Sequence, residues 1–315
     1  MVVANDEIPL LIIAFNRPEK LTQLLDSLRE SEPPLILLAV DGPRPNNPDD
    51  LMLVQETQEA LKFVTWKCQI ETRFRDSNMG LRRAYVDAVN WAISRYGCTV
   101  VVEDDVIAGP QFYEYVSTML RRHSDDHQIS QINGYNHIPE RYLTNRSTDS
   151  RLTRYPTSYA WGTWERAWCN YDPELKWGLE TSVGELAEIT KSRVAALRWK
   201  MNFSNAYSGR VDTWDYFWVA SIWEHNQLVV SPNRNLVQYN GFEDGTHTRR
   251  KRKNTQPPIE LLEYNQKYQP TVYLEKDDVW ISKHVFNDTT IGLLETAAAS
   301  LILEYGRLVQ KFRAR

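Results

Sequence analysis

The run Val100-Val101-Val102-Glu103-Asp104-Asp105 constrains this chain more than any other. Three consecutive β-branched residues suit a strand buried on both faces, the setting of a parallel sheet covered by helices. The strand then ends in three adjacent carboxylates, which repel one another and are costly to desolvate unless a cation neutralises them. Two neutralisers are available: a hard divalent cation, which prefers oxygen ligands, or a local excess of Arg and Lys. In open α/β sheets the carboxyl ends of strands are where ligands bind. The plainer reading of the same residues is an acidic turn before a helix that Gly109-Pro110 opens at Gln111.

The flanking sequence repeats the strand–helix pattern. Ile8 to Phe15 is a near-continuous apolar run, and Pro18 is placed to open a helix from Glu19 to Arg29 with Leu21, Leu24, Leu25 and Leu28 on one face. Leu35 to Val40 predicts a second buried strand ending in Asp41-Gly42-Pro43, and Cys68 to Thr72 a third. Asn78-Met79-Gly80 leads into a helix to Tyr96 with Ala84, Ala88, Trp91 and Ala92 inward, and Ile129 to Asn133 reads as a further strand. The alternation predicts a doubly wound α/β unit with a nucleotide-type cleft.

Beyond Pro139 the chain is polar and loop-like until Tyr159-Ala160-Trp161-Gly162-Thr163-Trp164, an aromatic stretch around a glycine. Trp161, Gly162, Trp164 and Trp214 are candidates for a sugar platform, although most aromatic residues are simply core. A helix is expected to begin at Val211, with Asp212 as its N-cap. Gly241 to Lys253 is Gly-hinged and then basic, a candidate lid containing His247, Arg249 and Arg250. Pro257-Pro258 marks a boundary. Residues 1–256 are expected to form the main domain, with halves of about 1–135 and 136–256, and 257–315 a largely helical extension ending in a helix from Ile291 to Phe312.

With 37 basic and 41 acidic residues the net charge is −4, which argues against nucleic acid as a partner. Three scattered cysteines give no disulfide framework or zinc site and suit a reducing cytosol. The first residues lack a signal-peptide pattern, and no apolar run reaches the ~20 residues of a membrane span. A cytoplasmic location is expected. The basic end of the last helix allows peripheral contact at the inner membrane face, and the helix itself allows a homodimer.

With Ala14-Phe15-Asn16-Arg17-Pro18, Val40-Asp41-Gly42 and Val100 to Asp105 placed, the chain resembles the GT-A glycosyltransferases. Within them it is most similar to the N-acetylglucosaminyltransferase I family and related bacterial sugar transferases. The likeness covers roughly residues 8 to 250 and is specific at the acidic motif. It implies a Rossmann-like, mostly parallel sheet flanked by helices and a metal-dependent, inverting transfer from a nucleoside-diphosphate sugar, UDP-linked and of UDP-GlcNAc type, to a glycan or glycolipid hydroxyl in surface polysaccharide synthesis. It also implies residue roles. Asp105 would ligate Mn²⁺ or Mg²⁺; Glu103 and Asp104 would bind donor hydroxyls; Asp41 would accept from the base imide. Phe15, Arg17, Asn78 and Arg82 would contact the nucleotide. Trp214-Asp215 matches the family's acidic segment that carries the general base, though Tyr216 stands where a second acid is usual, which keeps Asp212 as the alternative. His247 would be a metal ligand or a loop-stabilising residue, with Arg249 and Arg250 on the diphosphate. The competing functions are a sugar-phosphate nucleotidyltransferase, against which the missing Gly-rich loop after the first strand counts, and a noncatalytic sugar- or nucleotide-binding protein of the same fold.

Overall fold

A computed structural model describes residues 7–158, 160–241, 258–260 and 272–313, the last stretch with side chains as far as Leu301. Strand β1 (Leu10–Ala14) is almost entirely buried, as its unbroken apolar run requires. Helix α1 (Pro18–Ser27) starts on its proline and buries Leu21, Leu24 and Leu25. Strand β2 (Leu35–Val40) is buried at every position. Helix α2 (Asp49–Glu59) follows, and then β3 (Gln69–Phe74), whose more polar residues suit its place at the sheet edge. Helix α3 (Leu81–Tyr96) stops at Gly97, which takes the left-handed conformation of a helix C-terminus. Its buried face is Tyr85, Ala88, Val89, Ala92 and Ile93, so the helix is rotated from the face expected, and Ala84 and Trp91 are only half-buried.

Strand β4 (Cys98–Glu103) carries the valine run, and β5 (Val106–Ala108) follows the acidic turn directly. Helix α4 (Phe112–Arg122) and β6 (Ile129–Asn133) come next, then β7 (Ser150–Thr153) and β8 (Ala160–Trp164). Five helices lead on: α5 (Glu165–Trp168), α6 (Lys176–Glu180), α7 (Val183–Thr190), α8 (Arg193–Tyr207) and α9 (Asp215–Glu224). A Ser182–Glu185 capping box starts α7. Strands β9 (Leu228–Pro232) and β10 (Val237–Tyr239) and helices α10 (Glu275–His284) and α11 (Thr290–Arg313) complete the described elements.

The central sheet has the order β3-β2-β1-β4-β8-β6-β9-β7. Strands β3, β2, β1 and β4 are mutually parallel, and β6 and β9 share their direction; β8 and β7 run against it. The mostly parallel α/β sheet expected from the valine and leucine runs is therefore present. The aromatic stretch, however, is a strand at the centre of that sheet. Gly162 lies under α4, where an added Cβ would stand 2.7 Å from Val116 and 2.9 Å from Leu120. Close approach of the helix explains this glycine.

The C-terminal segment is stitched by buried polar contacts to the loop before β7, to the end of β7 and to α8. Asp277 accepts from the Thr144 backbone N–H at 3.1 Å, Asp278 accepts from Thr153 and from the Arg154 N–H at 3.0 Å, and Asp288 pairs with Arg198 at 2.9 Å. Burial pushes Asp278 up to about 6. Among the described residues, no helix is long and apolar enough to cross a membrane.

Candidate functional site

The carboxyl ends of β1, β2 and β4 lie side by side, because parallel pairing aligns Ala14 with Val40 and Ile13 with Glu103. That register gathers Phe15, Arg17, Asp41 and the acidic triplet along one edge. The Phe15 backbone N–H donates to Asp104 Oδ2 at 3.3 Å. Arg17 donates to Asp105 Oδ2 at 2.8 Å and lies 3.7 Å from Asp104 Oδ1. Burial works against the Arg17 charge, and Asp104 and Asp105 more than offset it.

Desolvation dominates the triplet. Asp104 and Asp105 are buried, and Asp104 is pushed up to about 7 by burial and then by its neighbour's charge. Glu103 is raised well above its usual range by desolvation, by the other two acids and by Asp215. Asp105 Oδ1 is buried with no hydrogen-bond partner among the described residues. Strand β10 runs antiparallel to β5 and sets Tyr239 opposite Val106, at the edge of the cluster. Gly241 then passes so close that an added Cβ would lie 2.3 Å from both Asp105 Oδ2 and the Tyr239 hydroxyl. Lys20 donates to the Asn240 carbonyl at 2.9 Å, adding a second cation near the acids.

Asp41 is placed at this edge but its carboxylate is occupied by the chain. It accepts from the N–H of Gly42 at 2.9 Å, the N–H of Met79 at 3.0 Å and the side chain of Asn78 at 2.9 Å. In this arrangement Asp41 and Asn78 hold the 77–79 turn against β2, and a base imide would share the Asp41 carboxylate with these chain donors. Arg82, on α3, lies over the Phe217 ring at 4.8 Å. The β1 edge has a further feature that spacing did not reveal: Arg44 holds Asp50 through two hydrogen bonds of 2.6 and 2.9 Å and also lies 5.3 Å from the Phe15 ring centre.

Asp215 is the first residue of α9, half-buried, and accepts from the Thr213 hydroxyl. Its charge raises both Glu103 and Tyr85, and its neighbour Trp214 stacks at 5.3 Å on Trp161 of β8, the strand paired with β4. Asp212 is not the helix cap; it is exposed, three residues before α9 begins, near Gly80. Trp214 is buried and stacks on Tyr85 at 4.0 Å. Trp161 donates to the Tyr85 hydroxyl at 2.9 Å, and Trp164 to the Leu120 carbonyl at 3.0 Å. Trp161, Gly162 and Trp164 are therefore interior, without an open face to serve as a platform. His247, Arg249 and Arg250, with the rest of the expected lid, lie outside the described residues.

A divalent cation fits this edge in one limited sense. Asp105 Oδ1 is a buried oxygen of the right hardness, unpartnered among the described residues. Among the described residues no group of three or more His, Cys, Asp or Glu side chains could hold a metal.

No protein-family model matches the chain, and no curated protein matches it. Among solved structures, similarity is found to a mannosyltransferase from Pyrobaculum calidifontis in complex with GDP-Man and Mn²⁺, at 10% identity and TM-score 0.32 over 51% of this chain and 46% of that one. A UDP-glucose pyrophosphorylase in complex with UDP-glucose is similar at 8% identity and TM-score 0.28, over 47% of this chain and 62% of that one. The chain spans less than two thirds of either. At such scores the likeness carries no assignment of function or site.

Proposed function

We propose that this chain is a glycosyltransferase that moves a sugar from a nucleoside-diphosphate sugar to an acceptor hydroxyl with inversion at the anomeric carbon. The observation that carries the reading is the placement of Asp215 at the start of α9, directly after Trp214, whose ring stacks at 5.3 Å on Trp161 of β8, the strand paired with β4. A carboxylate facing a strand-end ligand cleft from a separate element is the arrangement a single-displacement transfer needs. One side of the cleft holds the leaving diphosphate, and a base on the other removes the acceptor proton.

In this scheme Arg17 and Lys20 supply positive charge for the diphosphate, and the Arg17 fork exchanges its Asp105 partner for phosphate oxygens. Asp105 would hold Mn²⁺ or Mg²⁺ through Oδ1, and the bound ion supplies charge stabilisation to the leaving diphosphate. Phe15, with Arg44 beside it, offers a ring face to the base. Glu103 receives a sugar hydroxyl, and Asp215 takes the acceptor proton. UDP is the nucleotide we favour, and a surface glycan or glycolipid the acceptor class, on the resemblance at the acidic motif.

Calorimetric titration of UDP, GDP and dTDP with and without Mn²⁺, on wild type and Asp105→Ala, tests the donor side. Mn²⁺-dependent binding of one nucleotide, lost in the variant, is expected. Incubation with the matching nucleotide sugar then separates the enzyme classes. Release of nucleoside diphosphate supports transfer, whereas pyrophosphate-dependent formation of nucleoside triphosphate and sugar 1-phosphate would establish a nucleotidyltransferase instead.

A further inference from the structure

Behind Asp215 lies a cavity of about 160 Å³ whose walls come from five separate stretches of chain. His137 and the Pro156–Ser158 turn form one side, Trp199 of α8 and Trp214 to Val219 of α9 two others, and Phe286, between α10 and α11, the last. A void of roughly 150 Å³ accommodates one six-membered ring. The walls are mostly aromatic, yet the polar residues Asp215, His137 and Ser158 also line the space. Burial, with the nearby Arg151 charge, pushes His137 down to about 3, so at neutral pH its ring both donates and accepts.

A packing defect would be apolar throughout; a ring of aromatic faces interrupted by a carboxylate, an imidazole and a hydroxyl matches a pyranose, which has apolar faces and a hydroxyl-bearing edge. Phe286 is held firmly. It stacks on Tyr155 at 5.1 Å and lies 5.3 Å from Trp199, its carbonyl accepts from Arg198, and Asp288 just beyond is bound by Arg198, Trp199 and Ser282.

We propose that this cavity seats a single pyranose residue of the acceptor beside Asp215, and that Phe286, contributed by the C-terminal extension, restricts the seat to one ring. The inference rests on the transferase reading for the word acceptor, but the ring site itself can be tested without turnover. Methyl glycosides of common hexoses and N-acetylhexosamines, and the corresponding disaccharide glycosides, are titrated into the full-length chain with and without UDP and Mn²⁺. Tryptophan fluorescence reports binding, since three tryptophans line the cavity. The titration is repeated on Phe286→Ala and Phe286→Leu, with thermal melting as the folding check.

The expected result is a monosaccharide glycoside that binds wild type at least about tenfold more tightly than its disaccharide, with Phe286→Ala largely abolishing that preference and Phe286→Leu intermediate. If Phe286→Ala does not fold, Phe286→Leu decides. Equal weakening of both ligands in the variants would make Phe286 a packing residue and overturn the proposal. So would nucleotide binding in wild type with no response to any glycoside. Glycoside binding with no nucleotide binding would instead keep the ring seat and remove the transferase reading.

Discussion

Arg17 places its guanidinium 2.8 Å from Asp105 Oδ2, although 88 residues separate the two in sequence. Adjacent strands β1 and β4 bring them together, and the pair is the main answer to how this fold tolerates three consecutive acids at a strand end. The other carboxylate oxygen of Asp105 is buried and has no hydrogen-bond partner among the described residues.

Removing the cation should therefore be expensive. Arg17→Ala is expected to destabilise the fold by roughly 2–4 kcal/mol, because it leaves buried carboxylates without their partner. The loss should be larger at pH 8 than at pH 5.5. Asp104 is already pushed up to about 7, and acid lets it neutralise itself. Urea denaturation at the two pH values measures both effects; an equal loss at each would mean that Arg17 does not compensate the acids.

The C-terminal stitch provides a second pH test. Asp278 is raised to about 6 by burial, above an unfolded value near 3.8. A raised carboxylate means that the folded chain binds the proton more tightly, so stability is highest below the unfolded value and declines as pH rises through 6. Asp278→Asn removes that decline. Relative to wild type the variant should gain about 2–3 kcal/mol between pH 4 and pH 7.5. A constant difference across that range would show that Asp278 ionises freely in the folded protein.

Gly241→Ala probes the wall beside Asp105. The added methyl meets Asp105 Oδ2 and the Tyr239 hydroxyl at 2.3 Å, a distance that forces one of them to move. We expect a stability loss of about 1–3 kcal/mol and weaker nucleotide binding, read by melting and calorimetry. Unchanged melting and affinity would place the glycine farther from the acids than the structure does.

Asp215→Asn separates base from bystander. Sugar transfer should fall by about 10²–10⁴-fold while nucleotide affinity is kept, since a general base acts on the acceptor proton and not on the donor. Asp212→Asn, altering an exposed residue, should have a much smaller effect. The reverse ranking in steady-state kinetics would move the base to Asp212.

The chain's own sequence was sufficient for the parallel half of the fold. Leu10–Ala14, Leu35–Val40 and Cys98–Glu103 read as buried strands because burial on both faces demands apolar residues nearly without interruption. Pro18 and the leucines of α1 were legible for a similarly local reason, the geometry of one helical face. The acidic triplet, too, announced itself by composition. What lay beyond local reading was every feature defined by contact. Strand β8 is disguised because its glycine answers to the approach of α4, and β5 and β10 are only three residues each, too short for a periodic signal. Asp41 looked like a ligand-binding acid at a strand end, and only the placement of Asn78 and Met79 showed that its oxygens also accept from the chain. The stack of Trp214, next to Asp215, on Trp161 of β8, the burial of Asp105 and the wall that Phe286 makes for the cavity were likewise decided by tertiary structure. Local pattern determines whether a segment can be buried; which charges then face each other depends on sheet order and helix docking, and these join residues that no short-range pattern connects.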